Sequence, residues 1–170
     1  MATHQLTILI DKLTNSIEHA ASGKSYATEV QPFSISDYKL LGKSLWLFDW
    51  KSELLSQERS IYKLIVLNDE KSIHGLISIQ DKGDHVYVHL LESSKANRGK
   101  KKAYLGIPGN LMAYACKLSF EKGYDGYVSF ESKSKLVAHY RKVLSANVLF
   151  GNVMIIDTQA AKILVDRYFS

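Results

Sequence analysis

Cysteine and proline are scarce in this sequence. Among its 170 residues there are one cysteine and two prolines, so an internal disulfide framework is excluded. The single cysteine, Cys116, lies within the apolar stretch 111–118, where a free thiol acts as a small core residue. Because a chain without disulfides suits a reducing compartment, we expect a cytoplasmic protein.

Long apolar runs are also missing. No stretch of the sequence approaches the roughly 20 consecutive apolar residues that a helix needs to cross a bilayer. Residues 1–5 have neither the basic region nor the apolar core of a signal peptide. We therefore expect no membrane segment and no export.

Positive charge is in excess, and the excess is local. The formal net charge is +5, and five of the 22 lysines and arginines lie within residues 95–102. A length of 170 residues, of which 46% are hydrophobic, fits a single domain over residues 1–170 with a substantial core. Because the basic residues are concentrated in one stretch, we do not expect nucleic acid to be the partner.

The spacing of apolar residues predicts the first elements of the chain. Residues 6–17 mix short apolar runs with helical periodicity, and we expect a helix there. Pro32 disfavours a helix just before it, so residues 26–33 should be extended. Ser36 can cap a helix that begins at Asp37 and leads into an aromatic cluster.

A mixed sheet is predicted for the rest of the chain. Three strands at 61–67, 73–79 and 85–91 have short polar connections, so they should form an antiparallel meander. The later elements are predicted to be a helix over 111–121, a strand over 127–130, a helix over 133–144, paired strands over 146–150 and 153–156, and a helix capped by Asp157 or Thr158. Since strand, helix and strand in succession indicate a parallel crossover, the fold should be α/β or α+β.

The clearest functional pattern lies in residues 92–111, which join the last strand of the meander to an apolar helix. Gly106 allows the backbone to approach a ligand closely, and Pro108 suits the first helical turn. Backbone N–H groups at a helix start, beside a basic stretch, form an anion-binding site. We expect a ligand that carries phosphate; the alternative is a solvated loop whose glycines shape a turn.

This arrangement resembles the GNAT superfamily of acetyl-CoA-dependent N-acetyltransferases. Residues 106–111, Gly-Ile-Pro-Gly-Asn-Leu, match the family's glycine loop in the first glycine, the isoleucine and the leucine. Pro108 stands where the second small residue belongs, and Ala103 stands where the family has glutamine or arginine; residues 98–102 could supply the displaced charge. Residues 136–146 resemble the family's tyrosine-bearing helix.

The resemblance covers residues 61–156 and implies a GNAT-like mixed sheet with a central antiparallel meander and helices on both faces. It also implies direct transfer of an acetyl group from acetyl-CoA to an amine. Glu92 is the candidate that takes the amine proton, directly or through water, and Tyr140 is the candidate that protonates the departing thiolate.

The resemblance further implies which residues bind each substrate. Those implied for the cofactor are Leu91, Ser93, Arg98, Tyr104, Gly106, Ile107, Pro108, Gly109, Asn110, Lys133 and Ser134. Those implied for the acceptor are Trp46, Phe48, Asp49, Trp50 and Glu53. Aromatic faces beside carboxylates suit a cationic amine, but the same cluster is equally good as a hydrophobic wall. The acceptor itself is not indicated.

Other functions remain open. The same fold could bind acyl-CoA or a partner without catalysis, because fold does not fix function. Residues 122–130 also resemble the RNA-stacking strand of an RNA-recognition motif, but an extra residue sends Tyr124 and Tyr127 to opposite faces of a strand. No histidine has metal-like spacing with Cys116, so no metal site is expected. The last helix could pack within the domain or against a second copy in a homodimer.

Overall fold

A computed structural model describes residues 4–12, 16–99 and 101–169 of the chain. Lys100, one of the basic residues predicted to face phosphate, lies outside the described residues. The strands are β1 (Gln5–Leu6), β2 (Ser16–His19), β3 (Ser25–Pro32), β4 (Arg59–Val66), β5 (Gly75–Asp81), β6 (Val86–Ser93), β7 (Tyr104–Leu105), β8 (Val128–Ser132), β9 (Asn147–Phe150) and β10 (Val153–Ile156). The helices are α1 (Ile35–Lys39), α2 (Trp50–Leu55), α3 (Ile107–Glu121), α4 (Val137–Leu144) and α5 (Thr158–Phe169), with 3-10 turns at Lys43–Leu45, Lys95–Asn97 and Ser134–Leu136.

The strands form one mixed sheet. Within the described residues its order is β7-β2-β3-β4-β5-β6-β8-β10-β9, and β1 pairs with β8. Each strand from β3 to β6 runs antiparallel to the next, whereas β6 and β8 run parallel. The predicted meander and parallel crossover are therefore confirmed, as is the hairpin of β9 and β10.

Helices cover both faces of the sheet and bury two separate cores. Leu76 and Ile77 are neighbours on β5 and point to opposite faces, because side chains alternate along a strand. Ile77 belongs to the larger core, which includes Leu111 and Cys116 of α3. Leu76 packs with Trp50 of α2. The predicted α/β fold with helices on both faces is confirmed, and Cys116 is a buried free thiol whose pKa burial raises to about 12.

The helix predicted over residues 6–17 is wrong. This part of the chain contains β1 and β2, and residues 7–12 between them are not helical. Leu6 and Ile10 are buried and Ile8 is half-buried, whereas Thr7 and Leu9 are exposed, so burial alternates from one residue to the next, as in an extended segment. The apolar residues on both faces concealed this alternation in the sequence.

The helix predicted from Asp37 starts earlier and ends sooner than expected. Ser34 is the N-cap of α1, because its hydroxyl accepts the Asp37 N–H while the Asp37 carboxylate accepts the Ser34 N–H. This capping box replaces the predicted cap at Ser36. The aromatic stretch that follows α1 contains a 3-10 turn and then the separate helix α2.

The predictions for the starts of α3 and α5 agree with the structure. Pro108 lies in the first turn of α3, as predicted. Asp157 caps α5, since its carboxylate accepts the Ala160 N–H at 2.9 Å. Residues 122–126 form a turn before β8, so in the pattern that resembles an RNA-stacking strand Tyr124 lies in a turn and only residues 128–130 lie on a strand. In the described part of the chain, no helix combines the length and hydrophobicity needed to cross a bilayer.

Candidate functional site

A cleft opens where β6 and β8 separate. The two strands pair in parallel only where residues 86–88 lie opposite residues 128–130. Beyond this point β6 continues to Ser93 in its ladder with β5, and β8 continues to Ser132 in a ladder with β1. The segment 4–12 therefore lies between the diverging ends of β6 and β8.

A bulge in β6 stands at the beginning of this cleft. Ser78 of β5 faces Leu90, and the next residue, Ile79, faces Val88, so His89 is an extra residue in the ladder. A bulge bends its strand and re-aims a side chain. The His89 side chain is directed to the α2 side of the sheet, where it meets Glu53.

His89, Glu53 and Arg59 form a buried network. His89 Nδ1 lies 2.7 Å from Glu53 Oε1, and Arg59 Nη1 donates to Glu53 Oε2 at 3.0 Å. Burial acts to raise the pKa of the Glu53 carboxyl, but the hydrogen bond with His89 and the charges of His89 and Arg59 leave the pKa below its ordinary value. Because ionised Glu53 only accepts, a neutral His89 carries its proton on Nδ1, and Nε2 is the basic nitrogen.

The carboxylate of Glu92 is held at the end of β6. Among the described residues, four donors reach it: Leu47 N–H at 2.6 Å, Trp50 Nε1 at 2.8 Å, Phe48 N–H at 3.2 Å and Arg98 Nη1 at 3.3 Å. A carboxylate has about four lone-pair positions, and Glu92 is only 3% exposed. Glu92 therefore ties the loop before α2 to the sheet, and one donor must leave before it can take a proton.

The residues predicted to bind the acceptor divide into two groups. Phe48, Trp50 and Glu53 gather beside β6, where Trp50 and Glu53 are buried. Asp49 is exposed as the N-cap of α2. Trp46 lies apart from the others, in a pocket that Ile73 and His74 also line. The buried indole of Trp50 therefore belongs to the hydrophobic wall, which was the alternative to acceptor binding. A pocket of about 660 Å³ on the same side of the sheet is lined by residues that include His85, Tyr87, His89 and Glu131.

The start of α3 holds an anion supplied by the chain itself. Gly106 is the N-cap with φ of 103°, and its N–H donates to Asp11 Oδ1 at 3.0 Å. Lys102 Nζ donates to Asp11 Oδ2 at 2.8 Å. A Cβ at Gly106 would lie 2.9 Å from the Ser16 carbonyl oxygen, so glycine is required by the fold itself. The predicted anion-binding loop thus has the donors that a phosphate would need.

Several residues predicted to bind the cofactor surround a pocket beside this loop. Its volume is about 410 Å³, and it lies between the segment 4–12 and the end of β6. The predicted cofactor residues that line it are Leu91, Ser93, Arg98 and Pro108. Arg98 also donates to the Leu45 carbonyl at 2.7 Å.

The remaining predicted cofactor residues are engaged within the fold. Asn110 donates to the Gly106 carbonyl at 2.7 Å and holds the first turn of α3. The Tyr104 ring packs against aromatic rings including that of Tyr26, away from the pocket. Ile107 is buried, and a Cβ at Gly109 would overlap the Tyr168 hydroxyl. Lys133 and Ser134 lie just before α4, at the far end of β8. There the Lys133 N–H donates to the Leu6 carbonyl.

Tyr140 is buried beneath the segment 4–12. Its hydroxyl donates to the Ile8 carbonyl at 2.5 Å, and its ring packs edge-on against Phe130 with centroids 5.2 Å apart. Burial raises the pKa of Tyr140, although the hydrogen bond with Ile8 acts in the opposite direction. The phenol therefore keeps its proton at neutral pH and is a hydrogen-bond donor.

Two features of the site were missed in the sequence. The pair of His89 and Glu53 joins positions 36 residues apart, and the only local signal is a histidine inside an apolar strand. The contacts of segment 4–12 were hidden by the wrong helix prediction. In residues 4–12, 16–99 and 101–169, no group of three or more His, Cys, Asp or Glu side chains is placed to hold a metal ion.

Comparison with known proteins finds similarity in structure. No protein-family model matches the sequence, and no curated protein is significantly similar to it. Among similar solved structures are KacTA in complex with DNA (14% identity, TM-score 0.56, 82% of this chain and 98% of that chain) and AtaTR bound with acetyl-CoA (14%, 0.53, 81% and 97%). A third is the ribosomal-protein-S18-alanine N-acetyltransferase from Escherichia coli (11%, 0.52, 76% and 94%). The chain has the GNAT fold.

The GNAT resemblance drawn from the glycine loop and the order of elements is therefore confirmed for the fold. At identities of 11% and 14% the GNAT neighbours establish architecture alone. The activity of this chain must be argued from its own residues.

Proposed function

We propose that this chain is an N-acetyltransferase that moves an acetyl group from acetyl-CoA to an amine by direct transfer. The observation that carries the proposal is the anion held at the start of α3, where Gly106 N–H and Lys102 Nζ bind a carboxylate at the edge of the β6–β8 cleft. Acetyl-CoA supplies an acetyl thioester and carries a pyrophosphate that suits these donors. A GNAT-fold neighbour bound with acetyl-CoA supports the choice of cofactor.

The proposed cofactor site uses charge at one end and apolar walls along its length. Gly106 N–H, Lys102 and Arg98 face the pyrophosphate, because charge-assisted hydrogen bonds favour phosphate oxygens. Leu91 and Pro108 form the wall of the pocket beside them. Lys133 and Ser134 remain candidates for the far arm of the cofactor.

His89 is the proposed group that takes the proton from the attacking amine. Glu53 holds the ring by accepting from Nδ1 and stabilises the imidazolium that forms. Glu92, the base expected from the sequence, has its lone pairs occupied by donors of the loop 47–50 and Arg98. Its proposed role is therefore to position that loop, and a role as base requires one of these donors to move.

Tyr140 is the proposed donor to the departing thiolate. The acceptor ammonium first loses a proton to His89, and the neutral amine nitrogen then forms a bond to the acetyl carbon while the carbon–sulfur bond breaks and the sulfur leaves with the electron pair. The nitrogen loses a second proton after the attack, and the Tyr140 hydroxyl relays it by donating its own proton to the thiolate and accepting this one. This requires the hydroxyl to leave the Ile8 carbonyl.

The proposed acceptor is a cationic amine. Tyr87 and Glu131 line the pocket that His89 also lines. An aromatic face and a carboxylate together favour an ammonium group.

The proposed function is tested by measuring release of the CoA thiol from acetyl-CoA. The acceptors are a panel of polyamines, aminoglycosides, amino acids and peptides. His89→Gln should lower the rate by about 100-fold while acetyl-CoA affinity stays at the parental value. His85→Gln is the matched control, because His85 lines the same pocket and has no proposed role in proton transfer. Equal rates for parent and His89→Gln would remove His89 as the base.

A second candidate function is acyl-CoA binding without transfer. It is favoured by the internal hydrogen bonds that engage both Glu92 and Tyr140. Tight binding of acetyl-CoA without transfer to any acceptor on the panel would select this alternative.

A further inference from the structure

We propose that residues 4–12 are an intramolecular inhibitor that occupies the acyl-CoA cleft and must be displaced before the cofactor binds. The proposal rests on the cofactor site proposed above. It is carried by three groups of contacts that this segment makes with the residues of that site.

The first contacts are with the sheet. β1 pairs in parallel with residues Glu131 and Ser132 of β8. Glu131 also pairs with Val153 of β10, so β1 occupies the opposite edge of β8, the edge that β6 has left. The segment thus takes a strand position inside the cleft, and the Lys133 N–H extends the ladder by donating to Leu6 at 3.2 Å.

The second contacts are with α4. The Ile8 carbonyl accepts from the Tyr140 hydroxyl, and the Ile10 N–H donates to His139 Nε2 at 2.9 Å. These are backbone groups of the segment, so they depend on its path rather than on its side chains. While they persist, Tyr140 has no exposed surface and cannot reach a leaving group.

The third contact is with the anion site. The Asp11 carboxylate accepts from both Gly106 N–H and Lys102 Nζ, the same two donors proposed for pyrophosphate. Its side chain is 14% exposed, so the ion pair is largely protected from solvent. A carboxylate and a phosphate cannot share these donors, and the two occupants must therefore compete.

The segment alternates between buried and exposed residues. Leu6 and Ile10 enter the main core, whereas Thr7 and Leu9 are exposed and line the residual pocket beside β6. A bound cofactor must displace the buried residues of the segment. Its apparent affinity is therefore its intrinsic affinity multiplied by the fraction of chains in which the segment is released.

Calorimetric titration with acetyl-CoA and free CoA tests the competition. Asp11→Asn removes the charge but keeps the shape of the side chain, and it should bind both ligands about tenfold more tightly than the parent. Asp166→Asn, an exposed carboxylate on α5, makes the same change in net charge and should bind like the parent.

A reversible cross-link tests the displacement directly. Gln5 and Glu131 are opposite residues in the β1–β8 ladder, and replacing both with cysteine allows a disulfide that retains the segment. Cys116 is buried and does not interfere. The oxidised protein should bind acetyl-CoA about tenfold more weakly than the same protein after reduction.

Hydrogen exchange supplies a readout that does not depend on affinity. When acetyl-CoA binds the parent, the amide of Ile10 should lose protection, whereas amides in β5 should keep theirs. One outcome overturns this inference alone. In it, acetyl-CoA binds the parent, neither Asp11→Asn nor the cross-link changes the affinity, and the Ile10 amide keeps its protection, so the segment is a permanent wall of the site. If neither parent nor Asp11→Asn binds acetyl-CoA or CoA, the proposed function is overturned and this inference falls with it.

Discussion

The hydroxyl of Tyr140 donates its hydrogen bond to the carbonyl of Ile8, a residue 132 positions earlier in the sequence. The bond joins the proposed proton donor to the segment that covers it. The same contact therefore has two consequences, one for stability and one for catalysis.

Tyr140→Phe should separate these consequences. Loss of the hydroxyl leaves the partly buried Ile8 carbonyl without this donor, which should lower the free energy of unfolding by ~1–3 kcal/mol. The acetyl-transfer rate should fall by about tenfold or more if the hydroxyl protonates the thiolate, while acetyl-CoA affinity should not fall. Denaturant unfolding, calorimetry and a transfer assay measure the three quantities.

The matched control is Tyr168→Phe. The Tyr168 hydroxyl donates to the Lys12 carbonyl at 2.7 Å, so this variant also loses a bond to the same part of the chain but has no proposed chemical role. An equal loss of transfer rate in both variants would assign Tyr140 to packing.

Glu92→Gln distinguishes a positioning residue from a base. Glutamine replaces one acceptor oxygen with an NH₂ group, so two of the four donors to this side chain lose their acceptor. The variant should be destabilised by ~1–3 kcal/mol or more, whereas Asp49→Asn should change stability little because asparagine is an equally good N-cap. Thermal unfolding compares them; a Glu92→Gln variant with parental stability and a large loss of transfer rate would restore Glu92 as the base.

His139 should make stability depend on pH. Its Nε2 accepts the Ile10 N–H and must be unprotonated to do so. Burial, and then the charge of Lys142, lower the pKa of His139 from its ordinary 6.5, so the folded chain binds fewer protons than the unfolded chain. Stability from this group is full above pH 6.5 and is lost as the pH falls through the lowered pKa.

Unfolding curves at several pH values check this sign. His139→Ala should flatten the decrease below pH 6.5, and His19→Ala, on β2 and outside the cleft, should leave it as in the parent. A decrease of the same size in His139→Ala would mean that other groups cause it.

Gly106→Ala should cost more than a substitution at another glycine with positive φ. A Cβ at Gly106 meets the Ser16 carbonyl oxygen at 2.9 Å, whereas a Cβ at Gly99 meets nothing within 4 Å, although both have positive φ. Gly99→Ala should cost about 1–2 kcal/mol from the backbone conformation alone, and Gly106→Ala should exceed it. Equal melting temperatures for the two variants would contradict the close approach to Ser16.

The sequence predicted the parts of the fold that depend on local patterns. Short polar connections indicated the meander, and Gly106 with Pro108 indicated the loop that begins α3. The contacts that define the site depend on tertiary pairing, which local sequence patterns do not specify. Asp11 and Gly106 are 95 residues apart, and three of the four donors to Glu92 come from residues 47–50, which lie 42 to 45 positions before it. The direction of the His89 side chain could not be predicted, because it depends on a bulge that is defined only by the pairing of β5 with β6.

The most direct test of the central claim is acetyl-CoA affinity in the Asp11→Asn background, where the chain's own anion no longer competes. Adding Lys102→Ala should weaken binding by about tenfold, more at low salt than at high salt because a partly exposed charge is screened. Adding Lys101→Ala, an exposed lysine one residue away, should have little effect. Calorimetric titration that gives equal affinities with and without Lys102, or no binding to Asp11→Asn at all, would contradict an acyl-CoA site at the start of α3.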